Sequence, residues 1–595
     1  MGALGCPADS AYAADLPERI AEAIARAVAN LAPARVGWEA IDDDRHTFCR
    51  RWIRRPDRMI DDPFGQRTVR ANMHPGYVNP DAIAPSGPVD PALTVLSIQT
   101  PEGRPIALLA NYSQHYFGAS PVSADYYGRF AATLARKIGA EQGAPPFVAI
   151  MSQGTSGDQM WMDYGWPRND PGIDRYANEV AESAYQAYKS IKKYHDHVRL
   201  AMAETTLTLR RRVPDEPRLK WARAIVGRMG DRVPRNLPEV YAKEAVFLHE
   251  QPERELRLQA IRIGELGITA IPDEVYALSG LKIKARSPLP LTMNIALANG
   301  SEGYIPPPEQ HVLGGYTTWP ARTAALEVQA EPKIVAAVLG LLEKVAVRSR
   351  REIVSKPTPY SEHILAARPV AYWRLEEMEG PTAVDCTGHE HSAQFEKGVA
   401  FYLPGPDLPG LSTGHNINRA PHLAGGTITA SLALPEESSS VEFWFWNGLP
   451  GDARPVTAYL FERSAKGQAS ETVGLSGAAA ATPPGRLFIS RGNSKPVVVG
   501  NTEIRLKTWH HVVLVRSGQR VAVYLDGAQQ AEASADLEPG TGLEAAEFSF
   551  GGWHAGDSSL EGKIDEIALY DRSLTPAEIA EHYRAASGPA GRPVR

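Results

Sequence analysis

Ile20, Ile24, Ala27, Val28 and Leu31 recur three and four residues apart, so the spacing predicts an amphipathic helix over 16–31. Pro17 suits an early helical position, where its missing N–H is no loss, and Pro33 ends the run. The stripe is expected to pack on a core. Further along, short apolar runs at 92–98 and 105–112, separated by Glu102-Gly103, predict a hairpin of buried strands. A strand is expected over 147–152, running into Gly154-Thr155-Ser156-Gly157-Asp158, with helices over 128–139 and 173–193 on either side. A second hairpin is expected over 256–263 and 267–271. A helix should then start near Pro272, with Asp273 and Glu274 in its first turn, where carboxylates suit the dipole. A strand over 292–298 and a helix over 332–350 close the region. Helices and strands mix throughout, which indicates an α/β domain.

The polar, proline-bearing stretch Ser355-Lys-Pro-Thr-Pro-Tyr marks a change of character. After it come short β-rich segments at 370–375, 440–446, 487–490, 510–516, 520–526, 548–553 and 564–570, with Asp526-Gly527 as a hairpin turn. Many short strands with turns between them indicate an all-β jelly-roll sandwich. The expected division is an α/β domain over 1–354, a connector over 355–362 and a sandwich over 363–588 able to fold alone.

A chain of 595 residues is too long for one core. Its net charge of −6 argues against a nucleic-acid partner, which would need a basic face. The local basic runs Arg210-Arg211-Arg212 and Arg348 to Arg351 read as solvated faces. Cys6, Cys49 and Cys386 lie too far apart for a finger-type zinc site. No stretch approaches the ~20 apolar residues that span a bilayer. The first twenty residues have neither the basic region nor the apolar run of a signal peptide.

Chemistry-bearing residues stand at the ends of the expected strands. His115 follows one in Asn111-Tyr-Ser-Gln-His-Tyr-Phe-Gly, and Glu274 follows another in Ala270-Ile-Pro-Asp-Glu-Val. Tyr304 and Tyr316 belong to a loop rich in glycine and proline after a third. Taken singly, the histidine is as readily a satisfied structural residue and the glutamate a helix cap. Taken together, strand ends are where open sheets gather their sites. A histidine, a glutamate and a tyrosinate can hold zinc with one position left for water, which zinc makes nucleophilic near neutral pH.

The C-terminal pieces form a recognisable set. Ala371-Tyr-Trp-Arg-Leu opens it, followed by Asp385 and Gly388, then Val441-Glu-Phe-Trp-Phe-Trp, Trp509-His-His-Val-Val-Leu-Val and Val523-Tyr-Leu-Asp-Gly. Gly562-Lys-Ile-Asp-Glu-Ile-Ala-Leu-Tyr closes it. This resembles the laminin G-like, concanavalin A-like modules attached to many bacterial secreted enzymes. The resemblance implies a glycan or protein partner, sometimes with Ca2+, although no acidic cluster fixes a calcium site here. Trp444, Trp509 and Tyr524 read as sandwich core rather than sugar platforms.

The N-terminal pieces resemble the neutral/alkaline ceramidases. Asn-Tyr-Ser-Gln-His115 with Ser123-Ala-Asp-Tyr-Tyr-Gly is similar to that family's histidine-ligand segment. Gln153 to Asp158 is similar to its glycine-aspartate loop, and Ile271-Pro-Asp-Glu274 to its glutamate-ligand turn. Tyr304 and Tyr316 fall where the family has a ligand tyrosine and a second active-site tyrosine. The resemblance implies that His115, Glu274 and Tyr304 hold Zn2+. It also implies that Tyr316 stabilises the oxyanion and that Asp158 orients or accepts a proton.

Two departures stand out. The family's other zinc histidine belongs to a segment expected upstream of Met1, as does any signal peptide. Met160 stands where the family has its catalytic serine. The implied function is a secreted or periplasmic zinc-dependent hydrolase of an amide (N-acyl) or ester bond in a lipid or glycan. The alternative is a catalytically silent adhesion or glycan-binding protein.

Overall fold

The computed structural model describes residues 9–588 except 121, 144, 413–416, 466–467, 480–482, 493, 540–544 and 553–557; the side chains of 465 and 468–470 also lie outside the description. Cys6 and Trp553 fall outside the described residues.

The N-terminal domain is a four-layer α/β arrangement. Its first sheet has the strand order Arg35–Asp42, Ala92–Gln99, Pro105–Tyr112, Val148–Gln153, the last pair parallel. Its second has the order Leu200–Arg210, Glu253–Ile263, Leu266–Ala270, Leu291–Ile295, again ending in a parallel pair. The sheets meet through Leu96, Leu266, Ile268 and Met293. The helices Asp125–Ile138 and Ile173–Ser190 cover the outer face of the first sheet through Phe130, Leu134 and Val180. The helix Ala330–Ala346 covers the second through Ile334, Val338 and Leu342. The alternation of apolar side chains on each strand serves both layers, one face to the partner sheet and one to the helices.

Three expectations are corrected. The helix forms over Ser10–Ala29, capped by Asp9, but none of it is buried; Ile20, Ile24, Val28 and Leu31 are 51–80 % exposed. Periodicity sets which residues share a face and not what that face meets. In the run Arg210–Arg212, Arg210 is exposed as expected but Arg211 and Arg212 are turned inward. Arg211 pairs with Glu302 at 2.7 Å, with both side chains under a tenth exposed, and Arg212 donates to the carbonyls of Leu326 and Thr318. Buried loop carbonyls need donors, and arginine brings several. The third concerns Glu274, which is strand and not helix. Glu274–Val275 pairs in parallel with Tyr304–Ile305, and the helix begins at Ala277. Asp273 takes a positive φ of 78°, and its carboxylate accepts from Glu302 N–H. Glu274 N–H donates to the Gly303 carbonyl. The neighbouring loop thus claims the groups that would have opened a helix.

The C-terminal domain is a sandwich of two eight-stranded sheets. Phe443, Phe445, Phe461, Phe548 and Phe550 fill the space between them. The helices Pro359–Ala366 and Pro576–Ser587 cover the outer face of one sheet. Trp444 and Trp509 are buried in this outer layer, beside Tyr360, Ile364 and Ile579, and Tyr524 packs at its margin. The chain therefore joins the sandwich within the expected connector, at the capping box of Thr358 and Ser361.

Candidate functional site

Four strand ends converge where the two sheets of the N-terminal domain meet. His115 lies three residues beyond the strand Pro105–Tyr112. The loop Gly154 to Asp158 follows Val148–Gln153, Glu274 follows Leu266–Ala270, and Tyr304 follows Leu291–Ile295. Ala296 N–H donates to the Gln153 carbonyl at 3.1 Å and fastens one sheet to the other at this end.

The structure brings His115, Glu274, Tyr304 and Tyr316 together. His115 Nε2 is 3.4 Å from Glu274 Oε2, and Glu274 sits opposite Tyr304 in the short parallel pair. The Tyr304 and Tyr316 rings meet edge to face at 5.6 Å. Burial raises the Tyr304 phenol well above its ordinary range, against the pull of Arg50. Glu274 Oε2 is buried and has no hydrogen-bond partner, which is uncommon for a native carboxylate and asks for an explanation. His115 Nδ1 accepts from Tyr116 N–H at 2.9 Å, so ligation through Nε2 would require the ring proton to move to Nδ1 and that contact to yield.

Arg50 was not foreseen. Its Nη2 lies 3.3 Å from Tyr304 Oη and 3.6 Å from Glu274 Oε2, and donates to the Gly157 carbonyl at 2.8 Å. Nothing in the run Arg50-Arg51 says which arginine faces the site. The strand register decides it, since Arg51 turns the other way to Ser86 Oγ and the Gln310 carbonyl. His74 was missed as well. Its N–H donates to the Arg50 carbonyl, and its Nδ1 is 2.6 Å from Tyr164 Oη. Burial, aided by the charges of Arg50 and His115, lowers its pKa to about 4, so the ring is neutral at physiological pH.

Asp158 is placed behind this group. Its Oδ1 accepts from Ala277 N–H at 2.8 Å, at the start of the helix Ala277–Arg286, and burial raises its pKa. A carboxylate on a helix N-terminus orients that helix. Gly157 must be glycine, because its N–H bonds the Val275 carbonyl and a Cβ would collide with the Glu274 carbonyl. Met160 does face the site, with its sulfur 3.9 Å from Arg50 Nη1. The nearby hydroxyls are committed elsewhere: Ser156 Oγ accepts from Gln153 Nε2, and Thr155 lies by Ser113 Oγ. The Cys49 thiol is pushed up to about 12, chiefly by burial.

Among the described residues, no three of His, Cys, Asp and Glu gather closely enough to hold a metal ion by themselves. A metal ion at the His115–Glu274 pair would need further ligands of another type, such as the Tyr304 phenol. No helix among the described residues is long and apolar enough to cross a membrane.

No curated protein matches this chain. The neutral ceramidase from Pseudomonas aeruginosa is similar over 88% of this chain and 79% of its own, at 13% identity and a TM-score of 0.37. Domain 4 of AbnA, a GH43 extracellular arabinanase from Geobacillus stearothermophilus, is 20% identical over 36% of this chain and 98% of its own, with a TM-score of 0.27. A Trypanosoma rangeli sialidase is 15% identical over 36% of this chain and 32% of its own, at a TM-score of 0.27. Within the sandwich, residues 424–580 match the family model of the concanavalin A-like lectin/glucanases superfamily.

Proposed function

We propose that the chain is a zinc-dependent hydrolase that cleaves an amide (N-acyl) or ester bond in a lipid or glycan. The supporting observation is the meeting of His115, Glu274 and Tyr304, from three separate strand ends, around a buried carboxylate oxygen that makes no hydrogen bond. These three residues would hold the ion, with room for one further ligand. Bound zinc supplies Lewis acidity and a water made nucleophilic near neutral pH.

The chain's own groups do the remaining work. Arg50 and Tyr316 stand beside Tyr304 with N–H and O–H donors suited to a carbonyl oxygen as charge develops on it. Met160 offers no hydroxyl, so this reading calls for no nucleophile from the glycine-aspartate loop. Asp158 holds the helix that follows Glu274. The sandwich would bring a glycan or surface protein to the same chain. The setting is extracellular or periplasmic, which fractionation of the producing cells would check.

The test is metal content and hydrolysis together. Protein dialysed against zinc should retain one ion per chain and cleave a fluorogenic N-acyl or O-acyl substrate. Both properties should vanish in His115→Ala. A wild-type chain that retains no zinc, or hydrolysis unchanged by His115→Ala, would sink the proposal. Arg50 partly balances Glu274 without any ion, which favours one second reading, a catalytically silent binding protein. A zinc-free, inactive wild type selects it.

A further inference from the structure

The sandwich touches almost every arm of the candidate site. The helix Ala277–Arg286 begins three residues after Glu274 and sends Leu278 into the sandwich's own core beside Trp373, Leu375 and Met378, with Leu281 and Ala285 at its edge. On the same helix, Lys282 Nζ pairs with Glu379 of the sandwich at 2.9 Å and with Glu331 at 3.3 Å. The short helix Pro308–Val312 lies between Tyr304 and Tyr316 and touches the strand Val399–Pro404. Leu313, at its end, is buried with Ile53 and Ala71 against Ala400, Leu403 and Ala424.

The arm that carries Arg50 is held in the same way. Ile53 belongs to the strand that follows Arg50 directly. Arg70, next to Ala71, forms an ion pair with Glu561 of the sandwich, with side chains 12% and 3% exposed. Arg51 ties this strand to the Gln310 and Gly314 carbonyls, across the helix between the two tyrosines. Gly448 lies so close to Ile83 that a Cβ there would collide with it. His115 differs. The strand before it packs on the helices Asp125–Ile138 and Ile173–Ser190, in a cluster that holds no sandwich residue.

We infer that the docked sandwich is a structural part of the site, with Glu379 and Glu561 as positioning residues that hold the Glu274, Tyr304 and Arg50 arms against an independently fixed His115. A tethered binding module would leave those arms as they are when it moves away. In this chain the module's departure would expose Leu278 and Leu313, strand Arg70 and take one of the two carboxylates from Lys282, so the three arms would loosen together. The metal part of the inference rests on the hydrolase reading; the positioning part does not.

The experiment uses the full chain. In Arg70→Glu, amide exchange across 276–286 and 304–316 should speed up about tenfold, the size of a modest coupling between sites, while 105–115 stays unchanged. The charge-swapped double variant Arg70→Glu/Glu561→Arg should return exchange toward the wild-type rate. With Co2+ as probe, the dissociation constant should rise about tenfold in the single variant, and the visible bands of the bound ion should shift. As a check free of mutational damage, a protease site placed in the exposed stretch 351–357 allows the chain to be nicked without loss of mass. The nicked halves should remain together on gel filtration.

Unchanged exchange in 276–286 and 304–316 in Arg70→Glu overturns the inference. So do halves that separate while the N-terminal one keeps its exchange pattern. A wild type that binds no Co2+ or Zn2+ removes the hydrolase reading alone, and the exchange data still decide the positioning.

Discussion

Each domain carries a glutamate set among histidines, tyrosines and other donors, one fully and one partly buried, and the two are handled in opposite ways. Glu442 in the sandwich is completely buried. Its Oε1 accepts from His511 Nε2 at 2.8 Å and Tyr360 Oη at 3.0 Å, and its Oε2 from His582 Nδ1 at 2.8 Å and Tyr570 Oη at 3.1 Å. These donors come from the strand Trp509–Ser517, both outer helices and the strand Glu561–Tyr570, so one carboxylate ties the outer layer to the sheet. Glu274 in the α/β domain has Nε2 of His115 at 3.4 Å and Nη2 of Arg50 at 3.6 Å, and its Oε2 bonds neither. A charge with every lone pair satisfied is structural; one flanked by donors that stop short has capacity left for a ligand. The same residue type thus marks a rivet in one domain and a candidate ligand in the other.

The largest effect should separate the two glutamates. Glu442→Ala leaves two histidines and two tyrosines without their acceptor and should cost about 3–5 kcal/mol, read as a lower urea midpoint. Glu274→Gln should change stability by less than about 1 kcal/mol and remove zinc retention. Equal losses of stability in the two variants would break the comparison.

The same network should set a pH window for the sandwich. Burial alone would raise the Glu442 pKa, but the charge of His582 and the bonds from His511 and His582 hold it below the ordinary 4.5. Its contribution is present above 4.5 and is lost as pH falls through the depressed folded value. His582 runs the other way. Burial opposes its charge, Glu442 outweighs burial, and the pKa lies above 6.5. Its contribution is full below 6.5 and fades as pH rises through the raised folded value. The network should therefore stabilise most between about pH 4.5 and 6.5. Denaturant midpoints measured against pH should lose this bell in Glu442→Ala.

Smaller effects should sharpen the picture of the site. Gly157→Ala drives a methyl into the Glu274 backbone and should cost about 1–3 kcal/mol while weakening zinc binding, measured by competition with a chelator. Asp158→Ala removes the acceptor at the start of the helix Ala277–Arg286 and should cost about 0.5–2 kcal/mol. If zinc affinity falls no further than stability does, Asp158 acts through the helix. A loss of hydrolysis with zinc affinity intact would instead place it in the chemistry.

The strands at Ala92–Gln99, Pro105–Tyr112 and Glu253–Ile263, and seven of the sixteen described in the sandwich, were legible in the sequence, because alternation with period two and turn residues are local signals. His115, Glu274, Tyr304 and Tyr316 were singled out by motif resemblance and by their place beyond strand ends, and the structure brings the four together. Tertiary structure decided the rest. Glu274 lies in a strand because the Gly303 carbonyl takes its own N–H and Glu302 N–H takes the Asp273 carboxylate, across some thirty residues of chain, and no local pattern encodes that. Arg50 faces the site and Arg51 turns away because of strand register, although their residue type is the same. The apolar stripe from Ile20 to Leu31 gave a helix correctly and its burial wrongly. Periodicity is a property of a segment, whereas burial and charge satisfaction depend on which distant segments arrive beside it.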